Sequence, residues 1–415
     1  MKFIITLAFK NLTRYKRRTI ITSVAIAVGI MMYIIIDSIL MGAEYESVRN
    51  LKWYETASAR ILHEDYWENR FQRPLDLHIE EPDAILETLD ENGITATKRT
   101  TFSADMILSP LEFGEAGNLS VEVTAIDPQR DFDVFRFGDT LYDGRFLEPG
   151  ENGVLIGSWF AEDIGAEVGN WITLVTRGNG GFYEAMDMEI VGILNCPNPN
   201  VNRTLLMMPF TTASDYLAME GAATEINIRL PDDADVDRRI GEIRNLLNGN
   251  HLDIMSWESI AQDYLGIAEA KRGGTGMILF LIFIIAAVGI SNTMLMAIFE
   301  RIRELGMMRA LGMSDTSIRL AFMTEAAAIG LIGSLIGVAL GAAVNIYMVN
   351  KGIDFGVLMR DMDMGYRIQS VFRGMWNFST MFEAFLAGTL LSTLVAFFPT
   401  QRALKMDIPA CLRHQ

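Results

Sequence analysis

The chain alternates between long apolar blocks and polar stretches of very unequal length. Four blocks stand out: Thr19 to Leu40, Met277 to Phe299, Leu320 to Val349 and Thr380 to Phe398. Each approaches or exceeds the roughly 20 residues that, at about 1.5 Å rise per residue, cross a ~30 Å hydrocarbon layer. The pattern predicts four transmembrane helices, at 19–41, 275–299, 320–349 and 380–399. The first apolar run is about 22 residues, longer than the roughly 7–15 of a secretory signal, and no small-residue cleavage pattern follows it. It reads as an uncleaved anchor.

Before this first span, Phe3, Ile4, Leu7, Ala8 and Leu12 share one helical face, with Lys10 and Arg14 elsewhere. Residues 1–18 are therefore expected to form an amphipathic helix in the inner interface. Lys2, Lys10, Arg14, Lys16, Arg17 and Arg18 occur there with no acid among them, which predicts a cytoplasmic N-terminus. Segment 42–274 is then outside, 300–319 is a cytoplasmic hairpin tip, 350–379 is a short outer loop, and the tail 400–415 returns inside.

The polar stretch 42–274 is patterned as mixed α and β. Ala57 to His63, Leu119 to Ile126, Gly153 to Ile156, Trp171 to Val175, Met188 to Leu194 and Thr224 to Leu230 read as strands. Asp83 to Asp90, with Asp83 as cap, Ser158 to Ile164 and Val236 to Leu247 read as helices. The fold class expected is an α-helical membrane domain of four transmembrane helices. A large mixed α+β extracytoplasmic domain, of two subdomains, is inserted between helices 1 and 2. Gly273-Gly274-Thr-Gly276 reads as a flexible joint before the second span. Asn195-Cys-Pro-Asn-Pro-Asn-Val-Asn202 reads as an exposed loop, and Pro197, Asn198, Pro199, Asn200 and Arg203 are candidates for contact with a second protein.

Composition agrees: half of the residues are hydrophobic while 21% are charged. Charge is uneven. Segment 42–274 holds 42 acidic and 18 basic residues, a net of −24 against −17 for the whole chain. That imbalance excludes the basic footprint of nucleic-acid binding. The two cysteines, Cys196 and Cys411, fall on opposite sides of the membrane, and four scattered histidines have no ligand spacing. No metal and no catalytic set is assigned. The dipeptide Gly-Lys is absent, so the sequence contains no G-x-x-x-x-G-K-[ST] phosphate loop.

Two further signals lie in the second half. Gly333, Gly337 and Gly341 form a small-xxx-small ladder that admits a close helix neighbour, either span two or four of this chain or a second copy. Glu325 sits one turn into the third span, and Arg301, Arg303 or Arg319 is expected to neutralise it.

Between spans two and three, Ser291-Asn-Thr-Met-Leu-Met-Ala-Ile-Phe-Glu-Arg-Ile-Arg-Glu-Leu-Gly-Met-Met-Arg-Ala-Leu-Gly312 resembles the signature of FtsX-like/MacB-like ABC transporter permeases, which include the lipoprotein-releasing (Lol-type) permeases. Ala8 to Thr19 resembles that family's opening motif and Pro399 to Arg413 its closing one. The pair Gly192-Ile-Leu and Asn198 to Pro209 is similar to its strand–loop–strand. The resemblance implies an inner-membrane permease that pairs with a second permease subunit, as homodimer or heterodimer, and docks on a cytoplasmic ABC ATPase dimer. The ATPase would bind ATP-Mg; this chain would bind no cofactor and would be no enzyme by itself.

By the same resemblance, Glu300 to Gly312 is the coupling helix. Arg301, Arg303, Glu304 and Arg309 would make polar contacts, and Leu305, Met308 and Leu311 would seat the helix around Gly306. A Lol-type member would take an acylated lipoprotein between spans one and two, walled here by Met31, Met32, Ile36 and Leu40 with Ile278, Ile282 and Ile285. It would pass the lipoprotein to a periplasmic carrier. The resemblance equally implies MacB-like mechanotransmission efflux, or an FtsX-like scaffold that activates a periplasmic partner and transports nothing.

Overall fold

A computed structural model describes residues 16–114, 117–247, 251–356, 366–368 and 370–406. The interfacial helix expected over residues 1–18 lies almost wholly outside them, as do Cys411 and the end of the tail. The chain divides into two compact units. One holds residues 1–44, 268–354 and 371–415; the other holds 45–267 and 355–370.

In the first unit, the long helices are α1 (Lys16–Leu51, which continues into the second unit), α2 (Gln262–Glu300, which starts there), α3 (Ile302–Ala310), α4 (Asp315–Asn350), α5 (Phe378–Val395) and α6 (Phe397–Leu404). Among the described residues three helices are long and apolar enough to cross a membrane: Thr19–Thr56, Asp315–Asn350 and Phe378–Leu404. The pattern predicts four. The remaining block falls in α2, whose described apolar part is Ala287–Glu300. The glycine run 273–276, expected as a joint, is helical within α2. Each such glycine costs a helix about 0.5–1 kcal/mol relative to alanine, which a continuous backbone ladder absorbs.

Among the described residues, the second unit is built on ten strands: β1 (Ala59–His63), β2 (Thr95–Leu108), β3 (Gly117–Ile126), β4 (Leu141–Gly144), β5 (Gly153–Gly157), β6 (Trp171–Arg177), β7 (Tyr183–Leu194), β8 (Leu206–Pro209), β9 (Glu225–Arg229) and β10 (Leu252–Ser256). They run in the order β10-β1-β9-β2-β3-β8-β5-β7-β4, and β6 bridges β7 back to β2. The pairings β2–β3, β3–β8, β8–β5, β5–β7, β7–β6 and β6–β2 close a ring of six strands. Alternate residues point into it, among them Phe102, Met106, Val123, Ile156, Leu174 and Met188, all buried.

Outside the ring, β10, β1, β9 and the first half of β2 make an open sheet. One face packs on the helices Pro82–Glu91 and Val236–Leu247 through Leu86, Leu89, Ile240 and Ile243. β2 belongs to both parts: Thr95 to Arg99 pair with β9, and Ala104 to Leu108 pair with β6. The two expected subdomains are thus joined in one sheet through a single 14-residue strand. Asp83 is not the cap of its helix. Pro82 occupies the first turn, and Asp83 accepts from Lys98 Nζ at 2.6 Å.

Candidate functional site

The turn between α2 and α4 is determined residue by residue. Arg301, at φ −112°, breaks α2 and precedes α3. The far end closes with Gly312 at φ +87°, a left-handed conformation that glycine adopts without strain. Met313 N–H donates to the Met308 carbonyl at 3.0 Å and Gly312 N–H to that of Arg309 at 3.1 Å, satisfying the last carbonyls. Ser314 then caps α4, its hydroxyl accepting from Ser317 N–H.

α3 has a root and a surface. Ile302 and Leu305 are buried with Ile298, Ile318, Phe322 and Leu404. Gly306 is buried and Met308 half-buried beside them. Arg301, expected to face a partner, points inward instead. Its Nη1 lies 3.1 Å from Glu325 Oε2, and both side chains are 3% exposed. A charged pair placed here must be mutually satisfied, and the arginine neutralises the acid within the hairpin. Arg309 is also held internally, by Asp315 at 3.2 Å and the Met406 carbonyl at 2.6 Å. Glu304 is half-buried, and Glu300, Arg303, Met307, Leu311 and Gly312 are exposed. Leu311 is 87% exposed, a large apolar side chain at the tip of a charged turn.

The glycine ladder of α4 receives α1, rather than span two or four. A Cβ added at Gly333 would stand 2.9 Å from Ile26 Cβ, at Gly337 2.8 Å from the Ala27 carbonyl oxygen, and at Gly341 3.0 Å from Ile34 Cδ1. Further along, Ser38 Oγ donates to Asn345 Oδ1 at 2.5 Å. Asp37 accepts from Asn377 Nδ2 at 3.1 Å. Of the proposed wall residues, Met32 and Ile285 are exposed, and Met31, Ile36 and Leu40 are half-buried. The side chains of Ile278 and Ile282 lie outside the described residues.

Segment 195–204 is not the protruding loop its composition suggests. Pro199–Thr204 is a short helix with Pro199 in its first turn, and the Asn198 side chain accepts from Asn200 N–H. Asn198 and Asn202 are fully buried. Asn202 bridges Cys196 by accepting from its N–H at 2.9 Å and donating to its carbonyl at 2.8 Å. Asn198 Nδ2 donates to Glu55 Oε1 at 2.6 Å. The polar side chains that signalled exposure are consumed internally. Pro197 remains exposed, while Asn200 and Arg203 line a cavity whose other arginines the sequence pattern did not single out.

Two family models match. The MacB-like periplasmic core domain matches residues 19–246, and the FtsX-like permease C-terminal model matches residues 276–408. The chain belongs to this permease family. It is an ABC-transporter permease of the inner membrane with a MacB-like periplasmic domain. The permease is 23% identical over 371 residues to the lipoprotein-releasing system transmembrane protein LolC of Neisseria meningitidis serogroup B, covering 84% of this chain and 85% of that one. It is 25% identical over 232 residues to the macrolide export ATP-binding/permease protein MacB of Escherichia coli, covering 54% of this chain but only 33% of the relative. The crystal structure of the periplasmic region of MacB from Actinobacillus actinomycetemcomitans aligns with a TM-score of 0.37 at 16% identity, over 52% of this chain and 97% of that one.

Proposed function

We propose that this permease couples ATP hydrolysis by a separate cytoplasmic ATPase to the extraction of lipoproteins from the inner membrane and their release toward a periplasmic carrier. The observation that carries this reading is the near full-length match to a lipoprotein-releasing transmembrane protein, over 84% of the chain and 85% of the relative. In this reading the second block completes four spans with both termini inside, and two permease subunits meet two ATPases that hold ATP-Mg. The exposed edge of α3, with Arg303, Met307 and Leu311, docks on the ATPase. Its buried root, Arg301 and Leu305, passes the displacement to α4. Met31, Met32, Ile36 and Leu40, with Ile278, Ile282 and Ile285, wall the lateral entry for acyl chains. Depletion of the protein in its own cell should leave mature lipoproteins in the inner membrane. Normal lipoprotein sorting after depletion would reject the proposal.

A second reading, mechanotransmission efflux, is favoured by the MacB-like core model over residues 19–246. Co-purification in mild detergent separates the two. An ATPase with an acylated lipoprotein supports release, and an ATPase with an outer-membrane channel and no lipoprotein supports efflux.

A further inference from the structure

The face of the open sheet opposite the helices Pro82–Glu91 and Val236–Leu247 floors a cavity of about 600 Å³ in the second unit. That size suits a small organic molecule. Its walls come from β1, β2, β3, β8 and β9, from the segments around residues 51–56, 66–73, 199–207 and 260–264, and from Arg367.

The charge of this cavity is opposite to that of its surroundings. Arg60, Arg70, Arg73, Arg99, Arg203 and Arg367 line it, with no lysine. The lining carboxylates are Glu55, Glu122, Glu225 and Asp263. Asp131 neutralises Arg99 from behind at 2.6 and 2.7 Å, and the sum is still positive. Five of these arginines belong to segment 42–274, whose net charge is −24, and Arg367 joins them from outside it. A cationic recess with low-dielectric walls concentrates anions that the rest of the surface repels.

The guanidinium groups are also held in place. Arg60 is fixed by Glu225 at 2.8 Å, by Asn227 at 3.0 Å and by the Glu55 carbonyl at 3.0 Å. Arg367 is fixed by Glu55 at 2.9 Å and lies over the Tyr264 ring. Arg70 differs. Among the described residues no carboxylate lies within ion-pair range of it. It is half-buried, lies 4.3 Å from the Trp67 ring centroid, and donates only to the Trp67 carbonyl at 2.8 Å. An arginine stacked on an aromatic keeps a planar fork of donors free for a carboxylate or phosphate.

We infer that this cavity binds a small organic anion, whose carboxylate or phosphate is taken by Arg70 and whose apolar part lies against Trp67 and Tyr264. The site is in the periplasmic domain, and the inference does not depend on what the permease transports.

The test is calorimetric titration of the full chain in phosphatidylcholine nanodiscs with citrate and with glycerol 3-phosphate, at constant ionic strength. Saturable one-site binding of at least one probe is expected. Arg70→Gln should weaken it tenfold or more, and Arg70→Lys should weaken it less. Arg238→Gln, a substitution at a 78% exposed arginine on the helix Val236–Leu247, should leave it unchanged. Unchanged thermal midpoints confirm that the variants fold. If Arg70→Gln does not fold, Trp67→Leu serves in its place with the same expected loss. A second arm adds phosphatidylglycerol to the nanodiscs. Loss of probe binding there identifies a lipid headgroup as the natural source, and retention identifies a free anion. Absence of saturable binding by either probe, or equal affinity in Arg70→Gln, overturns the inference.

Discussion

Arg301 and Glu325 form a buried ion pair at 3.1 Å that ties the turn after α2 to the first part of α4. Removing one partner leaves the other charged and buried, at a cost of about 3–5 kcal/mol. Glu325→Ala should therefore lower the thermal midpoint of the purified permease sharply. The double variant Arg301→Met/Glu325→Met should recover most of the loss. A double variant no more stable than the single one would show that the pair is not what fixes the turn.

Arg303 and Leu311 reach outward from the same turn, so their substitution should spare folding. If α3 docks on an ATPase, Leu311→Asp and Arg303→Glu should each cost about 2 kcal/mol or more of association, roughly 30-fold in affinity. Arg309 is a poorer probe because its reversal also breaks its contacts with Asp315 and Met406. Wild-type ATPase binding in both variants, measured on reconstituted complexes with unchanged melting, would remove α3 from the interface.

Gly337 lies against α1 with no room for a side chain, since a Cβ there would stand 2.8 Å from the Ala27 carbonyl oxygen and 2.9 Å from Ile30 Cβ. Backbone cannot yield as a flexible side chain does. Gly337→Leu should destabilise the membrane unit by about 1–3 kcal/mol or more, with Gly337→Ala milder. A melt of Gly337→Leu that superimposes on the wild type would mean that α1 and α4 are not in this contact.

Burial pushes the Cys196 thiol up to about 12, and it is fully buried in the periplasmic domain. In a Cys411→Ser background, a maleimide at pH 8 should leave the folded chain unlabelled and label it fully after unfolding. The sign of the pH effect follows. Above the thiol's ordinary range the unfolded chain loses its proton while the folded chain keeps it, so stability falls as the pH rises. Rapid labelling of the folded chain at pH 8 would contradict the burial.

The regular elements were legible where the apolar period was uninterrupted. Ser158–Ile164 and Val236–Leu247 form helices with the boundaries their pattern predicts, and β3, β5 and β9 lie within a few residues of theirs. The longest strand, β2, was not. Its first half contains Lys98 and Arg99, and charged residues in a run argue against a buried strand. Arg99 is nevertheless 4% exposed, because Asp131 and the Phe135 ring satisfy it from elsewhere in the fold. No local pattern contains that partner.

The candidate site was legible in its chemistry more than in its orientation. The motif from Glu300 to Gly312 marks a charged turn, and Gly312 does end it in the left-handed conformation. Which of its arginines faces inward depended on Glu325, a partner 24 residues away that three arginines were equally placed to reach. Segment 195–204 failed for a related reason. Asparagine and proline mark exposed loops when their side chains meet water, but here Asn198 and Asn202 cap and bridge their own backbone. The arginine-lined cavity had one available signal, the use of arginine without lysine at positions far apart in sequence, and only the fold brings those positions together.

β2 serves the ring of six strands with one half and the open sheet with the other. Its side chains alternate without interruption from Ala96, in the core beneath the helices, to Leu108, in the core of the ring. A slip of one residue along this strand would move both sets to its other face together. The two halves of the periplasmic domain therefore share a single reading frame, and neither can be correctly paired while the other is misaligned.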